Sequence, residues 1–121
     1  MKKKGLNVEG LDLDKRYAIF LKKKGIKVNS VEINKLKINK KFHLITLNKV
    51  LEHVQNPVIF LKKSLKFLKK NGLVYIEVPD SNAKKKGKFS EEFCLDHLQI
   101  YSIVSLINIA KSIGLFPLRV E

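Results

Sequence analysis

Cysteine is nearly absent. Cys94 stands alone among the 121 residues, so no internal disulfide can form and a reducing compartment is expected. Acidic residues are also scarce, 11 against 25 Lys and Arg, which leaves a net charge of +14. No apolar run approaches the roughly 20 residues that cross a bilayer. The basic start, Met1 to Gly5, is not followed by a signal-peptide apolar segment, because Asn7, Glu9, Asp12 and Asp14 interrupt it. A soluble, cytoplasmic protein is therefore expected. The length suits one core and is too short for two domains, so residues 1–121 are read as a single partial domain.

Arginine is the next shortage. Every basic residue except Arg16 and Arg119 is lysine, and the lysines run along the whole chain, at 22–24, 40–41, 62–63, 69–70 and 84–86. A basic surface for nucleic acid is one reading of that charge. It lacks the arginine cluster that grips phosphates bidentately, and aromatics do not interleave with the lysines as a base-stacking platform requires. Composition drawn from AT-rich coding sequence explains the same mixture and is the preferred reading, which argues against a nucleic-acid partner.

The pattern alternates strands and helices. Residues 6–13 read as a strand. Asp14 caps a helix with Tyr17, Ala18 and Leu21 as its apolar stripe and Gly25 beyond its end. Residues 26–31 form a second strand, 34–41 a loop, and 42–47 a third, mostly apolar strand. Asn56 and Pro57 open the clearest helix. Val58, Leu61, Leu65 and Leu68 recur along it, Lys69 and Lys70 complement its dipole, and Asn71 and Gly72 stop it. Residues 73–78 form a strand ended by Pro79, 80–88 a lysine-rich turn region. Ser102 opens a last helix closed by Gly114, and a final strand begins at 116–120. Near-continuous apolar strands between helices predict a sheet covered on both faces.

Three stretches carry a resemblance. The first is Val8-Glu9-Gly10-Leu11-Asp12-Leu13-Asp14 with its helix and Lys24-Gly25-Ile26-Lys27-Val28. The second is Phe42-His43-Leu44-Ile45-Thr46-Leu47-Asn48-Lys49-Val50-Leu51-Glu52-His53-Val54, then Asn56-Pro57 and a helix. The third is Leu73-Val74-Tyr75-Ile76-Glu77-Val78-Pro79-Asp80, with His97 and the Tyr101-Ser102 helix downstream. The ordered set resembles the class I S-adenosylmethionine-dependent methyltransferases whose fourth strand leads into a Leu-Glu-His turn and whose fifth ends in Val-Pro.

That resemblance implies an α/β fold, a Rossmann-like three-layer αβα sandwich with a mostly parallel sheet. S-adenosyl-L-methionine is the implied cofactor, bound at the carboxyl ends of the strands. Asp12 matches the carboxylate that accepts from both ribose hydroxyls. Its alternative is helix capping, for which Asp14 is better placed. Glu32 matches the acid that accepts from the adenine amino group, and a solvated loop charge fits it equally. Asn48 is expected to face the methionine part of the cofactor or the substrate, although asparagine also suits a turn. His53 and His97 are the substrate-side candidates, each with the alternative of a structural histidine. No catalytic base is assigned. Cys94 lacks partners at metal-ligand spacing, so no metal site is read from the sequence.

Two departures from the family pattern stand out. His43 occupies a position where aspartate is usual, away from the active edge. The first strand and glycine-rich loop of the family are missing, since Gly5, Gly10, Gly25, Gly72, Gly87 and Gly114 do not form that loop, and the chain stops near the start of the sixth strand. The resemblance therefore implies methyl transfer to an unidentified acceptor, whether a small metabolite, a lipid-linked intermediate or a sugar, by a fragment that needs a further N-terminal segment or another chain. The alternative is a noncatalytic basic binding module, for RNA in its sharpest form, on a degenerate methyltransferase scaffold.

Overall fold

The first turn of the first helix is set by a charge pair. Asp14 Oδ1 accepts from the Arg16 backbone N–H at 2.8 Å, and the Arg16 guanidinium grips the same carboxylate with Nη2 2.7 Å from Oδ2. This contact holds the Asp14 carboxyl below its ordinary value. The helix, α1 (Lys15–Lys23), ends in a Schellman motif. Gly25 N–H donates to Lys22 O and Ile26 N–H to Leu21 O, with Gly25 at φ 70°, a conformation that suits glycine.

The computed structural model describes residues 5–81 and 95–121. The chain divides into two compact units, Met1–Asn39 and Lys40–Glu121. In the first unit, β1 (Glu9–Leu11) and β2 (Lys27–Asn29) pair in parallel, with Gly10 opposite Val28, and α1 is the crossover between them. Both strands are shorter than the apolar runs at 6–13 and 26–31 predict. Ala18 and Val28 are buried, whereas Tyr17, assigned to the buried stripe, is exposed. A single 3-10 turn, Ile33–Lys35, lies in what the sequence marks as loop.

The second unit repeats the parallel crossover with longer elements. β3 (Phe42–Asn48) and β4 (Leu68–Glu77) pair in parallel through α2 (Pro57–Leu65). Asn56 caps α2 by accepting from Ile59 N–H at 3.1 Å, and Pro57 takes the first turn, where its missing N–H costs nothing. Leu61 is fully buried, and with Leu47, Leu51 and Tyr101 it forms the core. The last helix, α3 (Ile103–Ser112), starts at a capping box between Ser102 and Ser105 and ends in a second Schellman motif at Gly114, φ 83°. It presents Leu106, Ile109 and Ile113 to that core.

Three expectations need correction. Helix α2 ends at Leu65, not near residue 70. Phe67 O already accepts from Phe42 N–H at 2.8 Å, and Leu68 pairs with Phe42, so sheet pairing claims the chain before Lys69. Between the pairs Phe42–Leu68 and Leu44–Leu73, residues 69–72 bulge opposite His43, with Asn71 at φ 59°. The final strand at 116–120 does not form, and Phe116 and Leu118 are exposed without a strand partner among the described residues. Against the expected cover on both faces, Leu44, Leu73 and Tyr75 on one face of the β3–β4 pair are exposed, with no layer over them among the described residues of the second unit.

The described strands thus make two separate two-stranded parallel sheets in an α/β chain. Among the described residues, no helix is long and apolar enough to cross a membrane. The described lysines are exposed except for half-buried Lys63. Cys94, Gly87 and the lysine run at 84–86 lie outside the described residues.

Candidate functional site

The carboxyl end of β3 meets the end of β4 side by side. Asn48 and Glu77 are register partners, so their side chains leave the same face of the sheet. Asn48 Nδ2 donates to Glu77 Oε2 at 3.0 Å, and the Tyr75 hydroxyl donates to the same oxygen at 2.9 Å. The carboxylate raises the Tyr75 pKa, because a hydrogen bond from the neutral phenol and the adjacent negative charge both oppose ionisation. Lys49, at φ 50°, then turns the chain out of the strand, with its N–H donating to Glu77 O at 2.8 Å.

A 3-10 turn, Leu51–His53, follows. Leu51 is fully buried and anchors the turn in the core. Residues 96–101 fold back onto it through the backbone. Leu98 N–H and Gln99 N–H both donate to Glu52 O, at 2.7 and 3.0 Å, and the Tyr101 hydroxyl donates to Leu51 O at 3.1 Å. Burial, reinforced by the charge of Glu52, pushes the Tyr101 phenol up to about 12.

This clamp collects three ionisable side chains. Glu52 is 1% exposed, and neither carboxylate oxygen has a hydrogen-bond partner among the described residues. His53 Nδ1 lies 3.0 Å from Asp96 O and 3.4 Å from Asp96 Oδ2. The His53 and His97 rings meet edge to face, with centroids 4.9 Å apart. One ligand-capable atom from each of Glu52, His53 and His97 falls within 4.8 Å of the others. The structure therefore brings the two histidine candidates together around a buried acid.

The remaining candidates lie in the first unit. Asp12 follows β1, half-buried, and its Oδ1 accepts from Asp14 N–H at 2.8 Å. An ionised carboxylate has about four acceptor positions, so this turn leaves capacity for two hydroxyl donors. Glu32 is exposed at the start of the 3-10 turn and makes an i,i+3 ion pair with Lys35 at 3.6 Å.

Glu77 was not singled out from the sequence, although an acid at the very end of an apolar strand was a usable signal. Nothing in the sequence marks Glu52 as buried, since the segment that covers it comes more than forty residues later.

A family model described as a methyltransferase domain matches residues 1–119. A ubiquinone biosynthesis O-methyltransferase from Pelagibacter ubique (strain HTCC1062) is 38% identical over 88 residues, covering 66% of this chain and 36% of that relative. The chain thus spans about a third of that relative's length.

Proposed function

This chain belongs to the class I S-adenosylmethionine-dependent methyltransferases, and we propose that it contributes the ribose-binding, adenine-binding and strand-four parts of a domain that methylates an oxygen acceptor. The observation that carries the reading is the family match over 1–119. The proposed frame is the Rossmann-like three-layer sandwich, of which the two parallel crossovers are the pieces in hand.

When bound, S-adenosylmethionine would supply an electrophilic sulfonium methyl group for an acceptor oxygen, with the neutral thioether as leaving group and the hydroxyl proton passing to water. The residues of the chain have to hold and align, because the methyl group is already activated. Asp12 is proposed to accept from the ribose hydroxyls with the carboxylate capacity that its turn leaves over. Glu32 is proposed to accept from the adenine amino group. Asn48, its amide nitrogen tied to Glu77, keeps its carbonyl oxygen for a donor on the methionine part or the acceptor. His53 and His97 are the proposed substrate-side groups.

An oxygen acceptor is favoured by the activity that the relative's name states, and a lipid-linked hydroxyl is the preferred class. The test is transfer of a labelled methyl group, with the 121-residue chain supplemented by a strand and glycine-rich loop. Label appearing in a base-stable ether of a hydroxylated aromatic lipid supports the reading. Label in a sugar moves the acceptor, and no transfer to any acceptor overturns it.

A further inference from the structure

The buried Glu52 carboxyl is held in an unfavourable place. A carboxylate taken out of water is costly unless a cation or a hydrogen-bond donor meets it. Both oxygens of Glu52 are sealed from solvent, and neither meets a donor among the described residues. Tyr101, whose phenol feels the Glu52 charge, spends its hydroxyl on Leu51 O instead. What lies beside the carboxylate is two imidazoles.

We propose that Glu52, His53 and His97 bind a divalent transition-metal ion of the zinc and cobalt type, and that the ion clamps the segment around His97 to the Leu51–His53 turn. The proposal is independent of the methyl-transfer reading.

The spacing suits coordination. At metal–ligand bonds of about 2.0–2.2 Å, tetrahedral ligand atoms sit about 3.3 Å apart. The three donors already lie within 4.8 Å of one another. The edge-to-face packing of the two rings, 72° between planes, lets their nitrogens converge without stacking.

The donor chemistry selects the ion. Two imidazoles and one carboxylate match zinc, cobalt and nickel, whereas magnesium and calcium prefer an all-oxygen shell. The histidine tautomer is also prepared. A backbone carbonyl can only accept, so the hydrogen bond between His53 and Asp96 O puts the proton on Nδ1 and leaves the Nε2 lone pair for a metal. A partner on the other ring nitrogen is the usual support of a metal-bound histidine. The frame is rigid as well, because two backbone hydrogen bonds to Glu52 O fix the segment that brings His97. His53 is 40% exposed in its side chain, which leaves a path for the ion.

The experiment titrates cobalt(II), then competing zinc, into the purified 121-residue chain. The expected result is a saturable one-to-one visible absorption change that zinc reverses, and a rise of several degrees in melting temperature, since the ion binds the folded state. His97→Ala should weaken binding at least about tenfold. His43→Ala, remote on β3 beside Lys69, should leave it unchanged. Cys94→Ser should also leave it unchanged and so removes the thiol as a source of the signal.

Glu52→Gln separates the proposal from a purely structural role. Removing a buried charge should raise the metal-free melting temperature while abolishing the rise caused by metal. Equal thermal shifts in Glu52→Gln and the parent, binding that survives His97→Ala, or no saturable cobalt signal in the parent would each overturn the proposal.

Discussion

Asn48 and Glu77 face each other across the parallel β3–β4 pair, and Glu77 Oε2 accepts from both the Asn48 amide and the Tyr75 hydroxyl. One oxygen therefore fixes two side chains at the end of the sheet. The Tyr75 pKa is raised first by its hydrogen bond to Glu77 and then by the carboxylate charge. Glu77→Ala should lower the Tyr75 pKa toward its ordinary value. Tyrosinate absorbance followed through an alkaline titration, with Tyr75→Phe as the reference that loses this component, checks it. An unchanged profile would mean that the Tyr75–Glu77 bond does not persist in solution.

Tyr101 gives a pH dependence of stability. Its phenol is pushed up to about 12 in the folded chain, against an ordinary value of 10.0. Above pH 10 the unfolded chain releases this proton while the folded chain keeps it. The unfolded state then binds fewer protons, so stability falls as pH rises, beginning near 10 and levelling off near 12. The full loss is about 3 kcal/mol. Tyr101→Phe should cost about 1–3 kcal/mol at neutral pH, because Leu51 O loses its buried partner. The same variant should lose less stability than the parent between pH 10 and 12. Urea unfolding at pH 7, 10 and 11.5 checks both halves of the prediction.

The legible parts of the fold were those that local chemistry specifies. Asp14, Asn56 with Pro57, and Ser102 begin their helices as read, because a cap satisfies backbone donors within three residues of itself. Gly25 and Gly114 end theirs for a similarly local reason. The end of α2 was misplaced because Leu65 and Leu68 are both apolar at helical spacing. Only the partner strand decides that Leu68 belongs to β4. The strand expected at 116–120 has the right composition but no strand partner among the described residues.

The site divides along the same line. Asn48 and His53 were visible as strand-end and turn residues. Their pairing with Glu77, Asp96 and His97 depends on chain segments that meet only after folding. The burial of Glu52 arises in the same way. A charged residue inside an otherwise apolar turn carries no mark of which distant backbone will cover it.

Gly72 is a position where the backbone tolerates nothing larger. A Cβ there would lie 2.8 Å from the Leu68 side chain and 2.9 Å from Lys69 O. Leu68 can rotate, but the carbonyl belongs to the bulge that sets the β3–β4 register. Gly72→Ala should therefore destabilise by about 1–3 kcal/mol. Leu61→Ala, which empties a fully buried site in the same unit, should cost about 2–5 kcal/mol. The two residues share a cooperative unit, so urea midpoints should move in the same direction for both. A Gly72→Ala midpoint equal to the parent's would show that the bulge relaxes freely.

Cofactor binding should depend on Asp12 and on parts that these 121 residues do not contain. Among the described residues, none of Gly5, Gly10, Gly25, Gly72 and Gly114 lies in a strand-to-helix turn that could bring backbone close to the amino acid end of the cofactor. The chain alone should therefore give no saturable signal with S-adenosylhomocysteine in the micromolar range. Supplying a strand and glycine-rich loop, fused or in trans, should create one. In that completed protein the role of Asp12 becomes separable from its local turn. Asp12 Oδ1 accepts from Asp14 N–H, so Asp12→Ala removes both the turn and the proposed ribose acceptor. Asp12→Asn keeps a side-chain oxygen for the turn and loses the charge. A charge-assisted hydrogen bond is worth about 1.5–3 kcal/mol, so each variant should lose at least about tenfold in affinity. Only Asp12→Ala should also disturb the start of α1, visible as lost protection of the Asp14 amide in hydrogen exchange. Calorimetry showing parental affinity in Asp12→Asn would remove Asp12 from the ribose site. Tight binding by the unsupplemented chain would show that another segment cradles the cofactor.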